Sequence, residues 1–224
     1  MRLSIKRQYT RHLIECIEKA YDEQSKASNE TLRLDGMSTP KVRHFINNLC
    51  SMERAKYLEV GSFKGSTFCS AIDNNPKAEA TAIENFSQFS DSSNPDGKSN
   101  KDILLQNIDS TIKRNAYERR AKLQLIVSDF MAVDKSKIGG VNIYFYDGAH
   151  DASSQYHAFT HMNDTFENTF IAIIDDWFCG QGGPKKGTFD AFKQLGYHIH
   201  YLEELPQGAN LFHGGLGVAV IEKR

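Results

Sequence analysis

Long apolar runs are missing from these 224 residues, and a bilayer-spanning helix needs about 20 of them in a row. The opening segment, Met1-Arg2-Leu3-Ser4-Ile5-Lys6-Arg7, has no apolar stretch of the signal-peptide kind. Both absences predict a cytoplasmic protein with no membrane partner. Cysteine is scarce: Cys16, Cys50, Cys69 and Cys179 lie far apart and form no Cys-x-x-Cys pair. That spacing excludes a disulfide framework and a zinc finger, and it fits reduced thiols. An excess of one charge is missing too, since 27 basic residues face 28 acidic ones. A near-neutral chain offers no electrostatic footprint for nucleic acid, so no nucleic-acid partner is expected. The basic pairs Lys113-Arg114 and Arg119-Arg120 read as solvated charge. No internal repeat is present.

What the chain does have is a 40% hydrophobic content, enough for one α/β domain with a full core and a small appendage. Leu13, Ile14, Ile17 and Tyr21 recur at helical spacing within residues 9–24. They predict an N-terminal amphipathic helix that folds over a cleft or pairs with a second subunit as a homodimer. Residues 1–35 are therefore assigned as an N-terminal helical extension and residues 36–224 as the main domain. Ser38 or Thr39 can cap a helix with Pro40 in its first turn. Further helices are expected over residues 66–74, 101–116, 151–163 and 187–195. Strands are expected over 57–60, 81–83, 122–127, 141–146, 170–174, 197–202 and 217–222. Residues 87–100 are polar and turn-rich, either a lid or a disordered surface loop. Strands alternating with helices predict a Rossmann-like, doubly wound, mostly parallel seven-stranded sheet with an antiparallel final strand, plus N-terminal helices.

The most informative segment is Tyr57-Leu58-Glu59-Val60-Gly61-Ser62-Phe63-Lys64-Gly65-Ser66-Thr67. An apolar run stops at Gly61, Gly65 follows, and Ser66-Thr67 opens a helix. Such a strand–turn–helix lets a ligand approach bare backbone. Five candidate strands end at polar or acidic residues: Gly61, Glu84, Asp129, Asp147 and Asp175-Asp176. In a parallel sheet these ends share one edge, where ligands bind. Taken singly, each acid could be only a turn former or a helix cap. Glu84 can accept hydrogen bonds from both hydroxyls of a ribose. Ser128 or Asp129 can meet an adenine amino group. The hydroxyls of Ser66 and Thr67 can hold a carboxylate. Together these describe a nucleoside carrying an amino-acid tail.

Residues 58–67 resemble motif I, Glu/Asp-x-Gly-x-x-x-Gly, of the class I S-adenosylmethionine (SAM) methyltransferases. The resemblance runs from about Gly36 to the C-terminus. It implies SAM as cofactor, bound by Glu59, Gly61, Ser62, Gly65, Ser66, Thr67, Glu84, Ser128, Asp129 and Asp147. Tyr146-Asp147-Gly148-Ala149-His150 and Ile174-Asp175-Asp176-Trp177 resemble the metal-dependent O-methyltransferases of the macrocin and catechol type. That resemblance implies Mg²⁺ or another divalent cation held by Asp147, Asp175 and Asp176. The residues agree, since three carboxylates at adjacent strand ends form a hard oxygen site and would repel one another without a cation. In the alternative, Asp175-Asp176 only cap and turn.

The expected activity is methylation of a hydroxyl on a small-molecule acceptor such as a sugar, a polyketide or a catechol-like compound. His150 is the first candidate for the general base and Asp151 the second; a structural histidine is the alternative for His150. Ala149 departs from the family pattern at this point and leaves the base open. Trp177 either walls the acceptor site or is buried. Residues 181–187 are expected to form a flexible basic loop, either closing on an anionic acceptor or only a solvated turn. His157 and His161 read as a surface pair, and His198, His200 and His213 are weaker candidates. Rival readings are a nicotinamide-dependent oxidoreductase, a non-catalytic SAM-binding protein, and an RNA or protein methyltransferase. The oxidoreductase lacks its Gly-x-Gly-x-x-Gly, and no Asn-Pro-Pro-Tyr motif supports N-methylation.

Overall fold

A computed structural model describes residues 4–115 and 123–224. Met1–Leu3, Ala116, the Arg119-Arg120 pair and Lys122, all used above, lie outside the described residues. The strands are β1 (Lys56–Val60), β2 (Glu79–Glu84), β3 (Leu123–Val127), β4 (Val141–Tyr146), β5 (Phe166–Ile174), β6 (His198–Leu205) and β7 (Leu216–Glu222). They form a seven-stranded sheet in the order β3-β2-β1-β4-β5-β7-β6. β1 pairs in parallel with β2 and β4, β2 with β3, and β4 with β5, while β7 runs antiparallel to both β5 and β6. The chain winds outward from β1 in one direction and from β4 in the other, so the topological switch point lies between them.

Register places the strand ends on one rim. Val60 is paired with Ile83 and Tyr146, Glu84 with Val127, and Tyr146 with Ile174. The residues that follow these ends must therefore share an edge.

Alternation along the strands divides the core between two layers. Tyr57, Phe145, Ile171 and Ile173 pack on one face with α1 (Ile5–Tyr21), α3 (Pro40–Leu49) and α4 (Ser66–Ile72). Leu58, Tyr144, Tyr146 and Ile174 pack on the other with α6 (Ala152–Thr160) and α7 (Gly183–Leu195). β4 is buried along its whole length, as a central parallel strand covered on both faces should be. α5 (Asn100–Arg114) begins with a Ser99 capping box and buries Leu104. Thr39, not Ser38, caps α3 by accepting a hydrogen bond from the Val42 N–H.

Several expectations need correction. α1 does not cover the cleft: Tyr9, Leu13, Cys16, Ile17 and Ala20 pack against α3 and the back of β5 and β7. Tyr21, expected on that face, is 41% exposed. The polar stretch before residue 35 contains a short helix, α2 (Asn29–Leu32), pinned because the Asp73 carboxylate accepts from the Ser28 N–H at 2.6 Å and its hydroxyl at 2.7 Å. α7 starts at Gly183, so the expected basic loop is largely its first turns; Pro184 at the helix start is a signal hidden by surrounding glycines. The four cysteines are free thiols, and among the described residues no helix is long and apolar enough to cross a membrane.

Candidate active site

The carboxyl ends of β1, β2 and β4 open into a cavity of about 410 Å³, within the roughly 300–1,000 Å³ of small-molecule sites. Of the residues predicted to hold a cofactor, Gly61, Ser62, Ser66, Thr67, Glu84, Ser128, Asp129 and Asp147 line it. Glu59 and Gly65 do not. Gly61 sits at φ 93° and presses on β4: a Cβ built there would lie 1.9 Å from the Asp147 carbonyl oxygen. Only glycine permits this approach. Gly65, at φ 84°, supplies the left-handed residue that turns the chain into α4.

Glu84 organises both loops around the cavity. One carboxylate oxygen accepts from the Phe63 N–H and the other from the Phe86 N–H, each at 2.7 Å. A carboxylate has about four acceptor positions, so two remain for a ligand's hydroxyls. Asp129 caps the turn Phe130–Ala132 by accepting from the Met131 N–H at 2.8 Å. The expected hydroxyl cradle is partly committed elsewhere: Ser66 Oγ is 3.0 Å from Ser38 Oγ, and Thr67 donates to Glu59 at 2.9 Å.

Sequence reasoning missed the aromatic wall of Phe63, Phe86, Phe89, Phe130 and Tyr146, and the Met37-Ser38 lip. Phe63 and Phe89 pack with ring centroids 4.9 Å apart. Nothing local distinguishes these rings from core rings in the sequence. The 87–100 segment contributes Ser87, Gln88 and Phe89 to the wall, and Asn100 ties it down by donating to the Phe89 carbonyl at 3.0 Å.

Glu59 is turned to the opposite face from Leu58 and Val60. It is fully buried beneath α4, where the Tyr57 hydroxyl and Thr67 donate to it. It supports the cavity wall and does not line it. Burial pushes its carboxyl from about 4.5 up to about 7, against the opposing pull of these hydrogen bonds. A raised folded-state value favours folding below the unfolded value and loses that advantage as pH rises through about 7. The gap corresponds to about 3 kcal/mol. We expect denaturant melts of wild type and Glu59→Gln to converge near pH 4 and to diverge by about 2–3 kcal/mol in favour of Glu59→Gln at pH 8. Parallel pH profiles for the two proteins would refute this.

The acidic end lies past β4 and β5. The Asp147 and Asp175 carboxyls lie beside each other, and both are pushed above the usual carboxylate range. Burial is the main cause, followed by the charge of Asp175 on Asp147 and of Asp176 on Asp175. Asp176 Oδ2 lies 3.1 Å from His150 Nε2, while Asp176 Oδ1 is buried with no hydrogen-bond partner. His150 lines the cavity and its Nδ1 is likewise buried and unpartnered. Asp151 is the N-cap of α6, accepting from the Ser153 and Ser154 N–H groups at 2.9 and 3.0 Å. The Ser154 hydroxyl bond holds its carboxyl below the usual range, and it does not line the cavity. Trp177 is fully buried against Gly217 and does not line the cavity. The glycines before β7 do more than turn the chain, because Gly214 packs directly on Asp176.

No family model and no curated protein matches the chain. Solved structures do match. The cofactor-bound Rv0187 from MTB aligns with a TM-score of 0.57 at 14% identity, covering 95% of this chain and 90% of that one. Precorrin-6y C5,15-methyltransferase from Geobacter metallireducens GS-15 aligns at 0.54 and 12% identity, covering 88% and 93%. SMU.776, complexed with SAH, aligns at 0.54 and 17% identity, covering 82% of this chain and 48% of that one. The chain spans about half the length of the first structures it matches, 48%, 52% and 48%. With the observed strand order and antiparallel β7, these likenesses define the fold as that of class I SAM-dependent methyltransferases.

Proposed function

We propose that this chain is a SAM-dependent methyltransferase acting on a hydroxyl of a small-molecule acceptor, with a divalent cation at Asp147, Asp175 and Asp176. The supporting observation is one rim. Gly61, Glu84 and Asp129 border the cavity at the switch point, and Asp147 and His150 border its other end.

The residues fit a nucleoside with a charged tail. Glu84 keeps acceptor capacity for a ribose diol, the aromatic wall suits a purine, and bare backbone at Gly61 allows close approach. The acidic end fits a cation: burial and repulsion between carboxylates push the Asp147 and Asp175 carboxyls up, and one buried oxygen of Asp176 has no hydrogen-bond partner. SAM supplies an electrophilic methyl group on a sulfonium. The cation, Mg²⁺ in the enzymes this chain resembles, supplies a Lewis acid that orients an acceptor hydroxyl and lowers its pKa.

His150 completes the proposal. Asp176 holds its Nε2, which leaves Nδ1 as the atom that can accept the acceptor's proton.

The test is transfer of labelled methyl from SAM to a panel of vicinal diols and catechols. Transfer should require a divalent cation, stop with chelator and resume when metal is restored. Transfer unaffected by chelator would remove the metal, and SAM binding without transfer to any hydroxyl would remove the activity.

A further inference from the structure

The β6–β7 loop carries a histidine that the reading above leaves unused. β7 runs antiparallel to β5 with Gly217 opposite Ile174, so the residues ahead of β7 lie beside those that follow β5. His213 and Asp176 meet there. His213 Nδ1 is 3.8 Å from Asp176 Oδ1, and the donor atoms of Asp175, Asp176 and His213 all fall within 4.8 Å of one another.

This contact is built into the backbone. The Trp177 N–H donates to the Gly215 carbonyl at 3.0 Å and the Phe178 N–H to the Gly214 carbonyl at 3.3 Å. Gly214 is so close that a Cβ there would sit 1.8 Å from Asp176 Oδ1. Asp176 and His213 both adopt left-handed backbone, at φ 51° and 52°.

The spacing is the decisive feature. A hydrogen bond would bring nitrogen and oxygen to about 2.7–3.2 Å. Asp176 Oδ1 has no hydrogen-bond partner, and 3.8 Å, too long for a hydrogen bond, is a gap that one ion can bridge. The second oxygen of Asp176 is held by His150, as the outer oxygen of a metal-binding carboxylate commonly is.

We propose that His213 is a nitrogen ligand of the divalent cation, and that it makes the site prefer a first-row transition ion over Mg²⁺. The proposal rests on the metal reading above and adds the ion's identity. Oxygen-only sites suit Mg²⁺, whereas an imidazole favours the more readily nitrogen-binding ions from Mn²⁺ onward.

Mn²⁺ is the probe, added to the full chain in the presence of S-adenosylhomocysteine. Pulsed electron paramagnetic resonance should show directly bound ¹⁴N in wild type, replaced by a ¹⁵N coupling when the protein is grown on ¹⁵N-histidine. The coupling should persist in His150→Asn and vanish in His213→Asn, a change chosen because Asn tolerates left-handed backbone. Mn²⁺ affinity should fall at least about tenfold in His213→Asn, while Mg²⁺ affinity moves less than about threefold. His213→Gly, which relieves the backbone strain, should behave the same way.

Mn²⁺ bound without histidine coupling in wild type, or with coupling that survives both substitutions at His213, overturns the proposal and leaves the three-aspartate site standing. Binding of neither Mn²⁺ nor Mg²⁺ removes the metal reading and this proposal with it.

Discussion

Gly61→Ala is expected to abolish SAM binding and to destabilise the fold by about 3 kcal/mol or more. The backbone there sits at φ 93°, which alone costs a side-chain-bearing residue about 1–3 kcal/mol. The added methyl would also stand 1.9 Å from the Asp147 carbonyl oxygen and 2.6 Å from its carbonyl carbon. Neither neighbour is a flexible side-chain end. The Gly61 N–H donates to Ile83 and the Asp147 N–H to Val60, each at 2.9 Å, so both strands are held in register on either side of the clash. Relief requires β1 and β4 to part at the switch point, where the cavity opens. Denaturant unfolding and calorimetric titration with SAM check both halves. A variant within about 1 kcal/mol of wild type that still binds SAM would show that close backbone approach is not required.

Asp176→Asn is expected to reduce methyl transfer by about 100-fold or more while leaving SAM affinity within about threefold, since loss of a partner outside the metal's direct ligands already costs about 10–100-fold. The substitution keeps size and tolerates the left-handed backbone at φ 51°. It removes the charge that faces His150 at 3.1 Å and His213 at 3.8 Å. Asp176 does not line the cavity walls that Glu84 and Asp129 shape, so the SAM end should stay intact. Steady-state turnover on any accepted hydroxyl, set beside SAM titration, separates the two effects. Unchanged turnover would remove Asp176 from the chemistry.

Most of the sheet was legible because its signals are local. β4 is an apolar run broken only by Asn142 and ending at Asp147-Gly148, and its predicted span, 141–146, is the observed one. Gly61 was legible because a strand that stops at glycine before a Ser-Thr helix start has few other uses. Glu59 was not, because its side depends on strand alternation: Leu58 and Val60 face one layer and Glu59 the other. The amphipathic face of α1 was visible, but its partner was not, since pairing Leu13 with the back of β5 and β7 is a tertiary fact. Trp177 beside an acidic pair read equally as a ligand wall or a buried ring, and only close packing on Gly217 decides for burial. His213 was hidden for a topological reason. Its place beside Asp176 follows only once β7 is known to lie antiparallel against β5.

If the cavity between β1, β2 and β4 grips SAM, the Glu84 carboxylate is its main hold. Calorimetric titration of wild type and Glu84→Ala with SAM, and with NAD as the rival ligand, tests it most directly. Wild type should bind SAM saturably, Glu84→Ala at least about tenfold more weakly through loss of charge-assisted hydrogen bonds of about 1.5–3 kcal/mol, and neither should bind NAD. NAD binding in place of SAM, or equal SAM affinity in the two proteins, would contradict it.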